Sequence, residues 1–206
     1  MILTSEQAPL RAGLRSRQKA ARREALIDAT HLLVERHGLD GATVEAICAE
    51  AGVSTRTFFN YFASKDDAVL GIEPWAMDPA VADEFAAGGP TGHLMTDLEV
   101  LVTWLLDKPM IGRDRVAAAM ALARREPRLL LAKMAWMEQS RGEVEALVRR
   151  RLGPDAPTER VELIGILVMV ITRSAFVRWE ATGGDGSARD QLAGVVHELR
   201  GLLAEF

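Results

Sequence analysis

The stretch Thr43–Lys65, TVEAICAEAGVSTRTFFNYFASK, decides how the chain is read. Thr43 and Ser54 are residue types whose side-chain oxygens accept hydrogen bonds from the first N–H groups of a helix. Each stands just before a short helical pattern, 44–51 and 55–61. Gly52 lies between them, where the chain must turn tightly. Two short helices joined by a turn with a central glycine form a helix-turn-helix. Ala46, Ile47, Val53 and Phe58 sit where the two helices must pack together, with Val44, Ile47 and Cys48 inward on the first. Phe58 and Phe62 are four apart and share the core side, so Phe59 points elsewhere. An aromatic left outside covers a neighbouring helix or meets a ligand. The second helix exposes Thr55, Arg56, Thr57, Phe59, Asn60 and Tyr61. Arg can grip guanine through two hydrogen bonds, Thr and Phe can touch a thymine methyl, and Tyr and Asn can reach phosphates. Helix-turn-helix geometry also occurs in proteins that never meet DNA, so these residue types carry the functional reading.

Outward from this segment, helical periodicity runs almost everywhere and no strand alternation appears. The fold class is all-α: an N-terminal three-helix bundle containing the helix-turn-helix, and a larger C-terminal helical bundle. The first helix is expected over 16–37, burying Leu26, Ala29 and Leu33, and ended by Gly38. Ser64 to Asp67 reads as a capping box that opens a fourth helix, which Pro74 interrupts or kinks. Six more helices follow, near 79–87, 92–106, 109–125, 127–152, 158–182 and 188–205. The domains read as a flexible basic arm over 1–15, a DNA-binding domain over 16–66, and a ligand-binding and dimerisation domain over 67–206.

Charge supports this division. The net charge is −4, yet the first 23 residues hold Arg11, Arg15, Arg17, Lys19, Arg22 and Arg23 against Glu6 alone. A basic arm on an acidic protein suggests a local polyanion contact. The longest apolar run, Leu163 to Ile171, is nine residues, far short of the roughly 20 that a membrane span needs. The first residues lack the apolar core of a secretory signal. The single cysteine, Cys48, forms no internal disulfide, which fits a reducing cytoplasm.

Catalytic signatures are missing. Ser16-Arg17-Gln18-Lys19 matches Ser-x-x-Lys without the companion motifs. Gly183-Gly184-Asp185-Gly186-Ser187 reads as a linker between helices, and His31 and His37 are spaced wrongly for ligands on one helix face. No metal, no cofactor and no enzymatic activity are expected. The competing reading is an all-α small-molecule-binding or enzymatic protein whose helix-turn-helix is purely structural. The basic arm, Arg56 and the Tyr61/Lys65 pair argue against it.

Residues 22–70 resemble the DNA-binding domain of TetR-family transcriptional regulators. The likeness rests on Glu35-Arg36-His37-Gly38 closing the first helix, then Thr43-Val44-Glu45-Ala46-Ile47, Ala51-Gly52-Val53-Ser54, and Thr57 to Phe62 followed by Ser64-Lys65. The family commonly shows Tyr-Tyr-x-His/Tyr-Phe where this chain has Phe58-Phe59-Asn60-Tyr61-Phe62. Phe59 therefore lacks a hydroxyl that often bonds a phosphate, and only stacking or methyl contact is implied there. The resemblance makes Thr55, Arg56 and Phe59 the base-facing candidates. It makes Thr43, Thr57, Asn60, Tyr61 and Lys65 phosphate contacts, with Arg15, Arg17 and Lys19 of the arm adding phosphate or minor-groove contacts. It implies a homodimeric repressor on palindromic operator DNA.

The C-terminal half offers two further expectations. Val161, Ile164, Val168 and Ile171 follow helical spacing on a helix that is apolar nearly all round, and such a helix must be covered on several sides. With Leu192, Val196, Leu199 and Leu203 of the last helix they are assigned to the dimer interface that the resemblance implies. Trp104, Met120, Met134, Met137, Met169 and Phe176 are the candidate lining of an adaptable apolar pocket, since thioethers and wide rings accommodate varied ligands. Residues 116–152 also resemble an actinobacterial TetR subgroup that includes mycofactocin-locus regulators, which implies a small apolar or acyl-CoA-like effector.

Overall fold

The computed structural model describes residues 7–73, 77–107, 111–184 and 186–205, with side chains from Arg17 onward. The described residues are helical and contain no strand. In chain order the helices are α1 (Gln7–Gly41), α2 (Val44–Glu50), α3 (Thr55–Phe59), α4 (Lys65–Leu70), α5 (Pro79–Ala86), α6 (Leu94–Leu106), α7 (Arg113–Arg125), α8 (Pro127–Leu152), α9 (Thr158–Ala181) and α10 (Leu192–Ala204). A short 3-10 turn, Ala188–Gln191, leads into α10.

Local chemistry sets many of these boundaries. Gly38 breaks α1 with a φ of 72°, where the sequence expects its end. Thr43, Ser54 and Ser64 each accept a backbone N–H three residues on, from Ala46, Thr57 and Asp67. Ser64 also donates its hydroxyl to Asp67 Oδ2 at 2.9 Å. α4 stops earlier than expected, because Gly71 caps it in the left-handed region at φ 60°. A Cβ at Gly71 would run into the Ile111 side chain, so only glycine lets that backbone approach. Pro74, to which the break was assigned, lies outside the described residues.

The chain divides into two compact units, 1–74 with 111–134 and 75–110 with 135–206. The boundary that the sequence reading placed at residue 66 falls inside the first unit. The first unit adds α4, α7 and the start of α8 to the helix-turn-helix. Ile111, Leu122, Ala123 and Leu129 join Leu26, Ile27, Ile47, Phe58, Phe62 and Val69 in one buried cluster. Residues 7–15, read from the sequence as part of a flexible basic arm, are helical and continuous with the rest of α1.

The second unit packs α5, α6, the rest of α8, α9 and α10 around Leu98, Leu101, Val102, Val144, Val148, Val168 and Ala175. Its core holds a buried ion pair. Arg151 Nη2 donates to Asp97 Oδ2 at 2.6 Å, and Thr91 donates to Asp97 Oδ1 from both its N–H and its hydroxyl. Arg151 also donates to the carbonyls of Phe85, Gly88 and Gly89, and lies 4.7 Å from the Phe85 ring centroid. The pair therefore fastens the turn between α5 and α6 to the end of α8.

The inward faces of α9 and α10 differ from the expectation. Val161, Ile164, Val168 and Ile171 are buried in the second unit's own core, as are Leu192 and Val196. Leu199 is half-buried against that core, while Leu203 is exposed. The apolar residues that α9 leaves outside are instead Leu163, Ile166, Val170 and Val177, and α10 adds Leu202. Helical spacing identifies a face but does not say which of two apolar faces turns inward.

Candidate nucleic-acid interface

The helix-turn-helix is built from its core outward. Val53 N–H donates to the Cys48 carbonyl at 2.9 Å, closing the turn that Gly52 permits at φ 66°. Ile47 and Phe58 are fully buried where the two helices meet, and Ala46 and Val53 pack against the same cluster. Phe62 is buried as well, its ring 5.8 Å from that of Phe58. Phe59 is 57% exposed. Its ring meets Phe58 edge-on at 5.4 Å, so a buried neighbour orients an exposed aromatic.

Thr55, Arg56 and Phe59 stand together on the exposed side of α3, and Asn60 caps its end. The Arg56 side chain is exposed to solvent on this face. Thr57 is half-buried, with its hydroxyl 2.9 Å from that of Ser54. Thr43 is exposed at the start of α2; its oxygen accepts from Ala46, which leaves the hydroxyl hydrogen for an acceptor outside. Tyr61 is half-buried against the core cluster. Arg17 and Lys19 are exposed on α1, whereas the Arg15 side chain lies outside the described residues.

Lys65 has a different occupation from the one its sequence position suggests. Its ammonium donates to the carbonyls of Leu39 at 2.6 Å and Ala42 at 3.0 Å, in the turn between α1 and α2. It clamps the helix-turn-helix from behind. Cys48 is buried, and burial followed by the charge of Glu45 pushes its thiol up, away from the reactive thiolate.

Several residues that hold this surface in place carried no local signal. Arg115 of α7 grips Asp28 of α1 with two hydrogen bonds of 2.6 and 2.7 Å, and lies 3.2 Å from Glu24. The hydrogen bonds from Arg115 hold the Asp28 carboxyl below the usual carboxylate range. Arg23 donates to the Gly71 carbonyl at 2.6 Å and pairs with Glu73, and His31 Nε2 lies 2.7 Å from the Val69 carbonyl. These contacts satisfy carbonyls at the end of α4 that have no partner within the helix.

Residues 26–70 match the family model for bacterial regulatory proteins, tetR family. Over those residues the chain is similar to the DNA-binding domain of that family. It is 29% identical over 158 residues to the HTH-type transcriptional regulator TcmR of Streptomyces glaucescens, across 74% of this chain and 70% of TcmR. Among solved structures, a candidate transcriptional regulator from Pseudomonas aeruginosa PAO1 superposes with a TM-score of 0.47 and 22% identity, over 89% of this chain and 91% of its own. Another from Rhodococcus sp. RHA1 gives 0.43 and 19%, over 87% and 95%. The TetR match spans α1 from Leu26 to the end of α4, which is the segment whose outer face presents Thr43, Arg56 and Phe59.

The candidate pocket residues are divided between the two units. Met120 packs into the first unit's core, where Lys133 Nζ lies 3.1 Å from its sulfur, and Met134 of the same unit is exposed. Trp104 and Phe176 pack against the second unit's core, Met169 is half-buried on α9, and Met137 is exposed. Composition marks Met and Trp as adaptable but does not say which core each one fills. Among the described residues there is no cluster of His, Cys, Asp or Glu fit to hold a metal, and no helix long and apolar enough to cross a membrane.

Proposed function

We propose that this TetR-family regulator is a cytoplasmic, homodimeric repressor that binds a palindromic operator and leaves it when a small apolar molecule binds the second unit. The observation that carries the DNA-binding part is the surface of α3. Arg56 and Phe59 project from a helix whose own core is already complete, and Thr43 and Asn60 flank them. Arg56 and Thr55 read base edges, Phe59 contacts a thymine methyl, and Thr43, Thr57, Asn60 and Tyr61 position the backbone. Arg15, Arg17 and Lys19 add charge along α1.

Dimerisation is supported by the exposed residues of α9. Leu163, Ile166, Val170 and Val177 recur at intervals of three, four and seven, a seam that water leaves uncovered on a single chain. Leu202 and Leu203 extend it on α10. The effector class rests on the resemblance of residues 116–152, with an acyl-CoA-like thioester as its narrowest form. To release DNA, the effector must bind the DNA-incompetent state more tightly than the competent one.

Fluorescence anisotropy at physiological salt tests the core of this reading. The full chain is titrated with duplex from around its own gene and with a scrambled duplex. A preference of about 10³-fold or more is expected. Equal, weak and salt-sensitive binding to every fragment of a genomic library would remove sequence-specific regulation.

A further inference from the structure

Three polar links converge on the turn that joins α1 to α2, and all come from elements further along the chain. Residues 38–42 leave α1 at the Gly38 break and deliver the backbone to Thr43, the cap of α2. The Leu39 and Ala42 carbonyls accept from Lys65 of α4. Asp40 accepts from Arg128 Nη1 at 2.8 Å, and Nη2 of the same guanidinium donates to Asp66 at 3.2 Å. Arg128 stands in the first turn of α8, and Asp66 follows Lys65 in the first turn of α4.

Stability does not account for this arrangement. The Asp40 side chain is 91% exposed, and exposed ion pairs contribute little to folding. A planar guanidinium that holds two carboxylates at once instead fixes direction, which a lysine could not do. What it fixes is the approach to Thr43 and α2. From α2 the constraint passes to α3 through Ile47 and Phe58, which share one buried cluster, and through the Val53–Cys48 hydrogen bond.

We propose that Arg128 is a positioning residue for DNA reading, clasped between Asp40 and Asp66 so that the first turn of α8 orients the turn leading into α2. This rests on the DNA-binding reading above. Arg128 lies in the first unit together with the helix-turn-helix, so the clasp makes the first turn of α8 part of the reading head.

The test uses the full chain and a duplex that the wild type selects from a randomised pool. Asp40→Ala separates positioning from charge. Removing an exposed carboxylate three residues from Thr43, a proposed phosphate contact, strengthens binding if net charge alone matters. It weakens binding if the clasp orients α2. Asp40→Ala and Arg128→Met are each expected to bind roughly two- to fivefold more weakly. The double variant should lose no more than Arg128→Met alone, because that change already removes the Asp40 contact. Melting temperatures should stay at the wild-type value, and Arg128→Lys should recover only part of the affinity. Asp40→Ala binding as tightly as wild type or tighter overturns the proposal, as does a loss that tracks a lower melting temperature. A wild type that selects no duplex overturns the DNA-binding reading itself, and the clasp's role with it.

Discussion

Phe58 and Phe59 are adjacent in sequence and opposite in consequence. Phe58 is fully buried, and truncating a core phenylalanine to alanine costs about 3–5 kcal/mol through lost burial and the cavity left behind. Phe59 meets the Phe58 ring edge-on and is more than half exposed. Phe58→Ala should therefore lower the urea midpoint strongly, whereas Phe59→Ala should move stability by no more than about 1 kcal/mol while weakening operator binding. Equal losses of stability in the two variants would place Phe59 in the core. Arg56 offers a sharper readout, because a bidentate arginine discriminates one base pair by about 1–3 kcal/mol. Arg56→Ala should relax preference at a single operator position and leave the others intact. A position-by-position substitution series on the duplex measures this, and an unchanged profile would take Arg56 out of the readout.

Elements differ in how much of themselves they show in sequence. The caps of α2, α3 and α4 were legible because Thr43, Ser54 and Ser64 act on a neighbour three residues away. The inward pair Phe58 and Phe62 was legible because polar neighbours leave a single apolar face. α9 was not, since Val168 and Val170 are alike in chemistry yet one is buried and the other nearly half exposed. Nor were α7 and the start of α8, whose ties to the reading head span 62 to 88 residues. The clasp of the α5–α6 turn was equally hidden, and it carries a pH signature. Burial pushes the Asp97 carboxyl up, but the Thr91 hydroxyl and N–H and the Arg151 guanidinium outweigh burial and hold the group at about 2. Its unfolded value is about 3.9. A depressed carboxyl contributes stability above its unfolded pKa and loses it as pH falls towards the folded one. The melting temperature should therefore drop between about pH 4 and pH 2. Asp97→Asn should be less stable at neutral pH and should show a shallower fall across that window. Parallel curves for the two proteins would mean that Asp97 is not the group responsible.

For the molecule as a whole, the exposed seam on α9 converts a structural correction into a functional expectation. Ile166 and Val170 are each 48% exposed, so a charge at either position disturbs the fold of one chain little. Between two chains the same charge would be buried without a partner, which is costly. On the proposed dimer, Ile166→Lys and Val170→Glu should therefore sediment as monomers, and should melt lower than the wild type only by the stabilisation that association lends at the same concentration. The effect on DNA follows from symmetry, because a twofold dimer engages two half-sites about one helical turn apart. Much of its operator affinity comes from making the second contact intramolecular. A monomeric variant should bind the full palindrome no more tightly than an isolated half-site, while retaining the wild-type sequence preference within that half-site. Val168→Ala is the control: Val168 is fully buried in the second unit, so this change should lower stability without acting on assembly. If both seam variants remain dimeric, the copies must associate through another surface, and the apolar face of α9 would have no part in assembly.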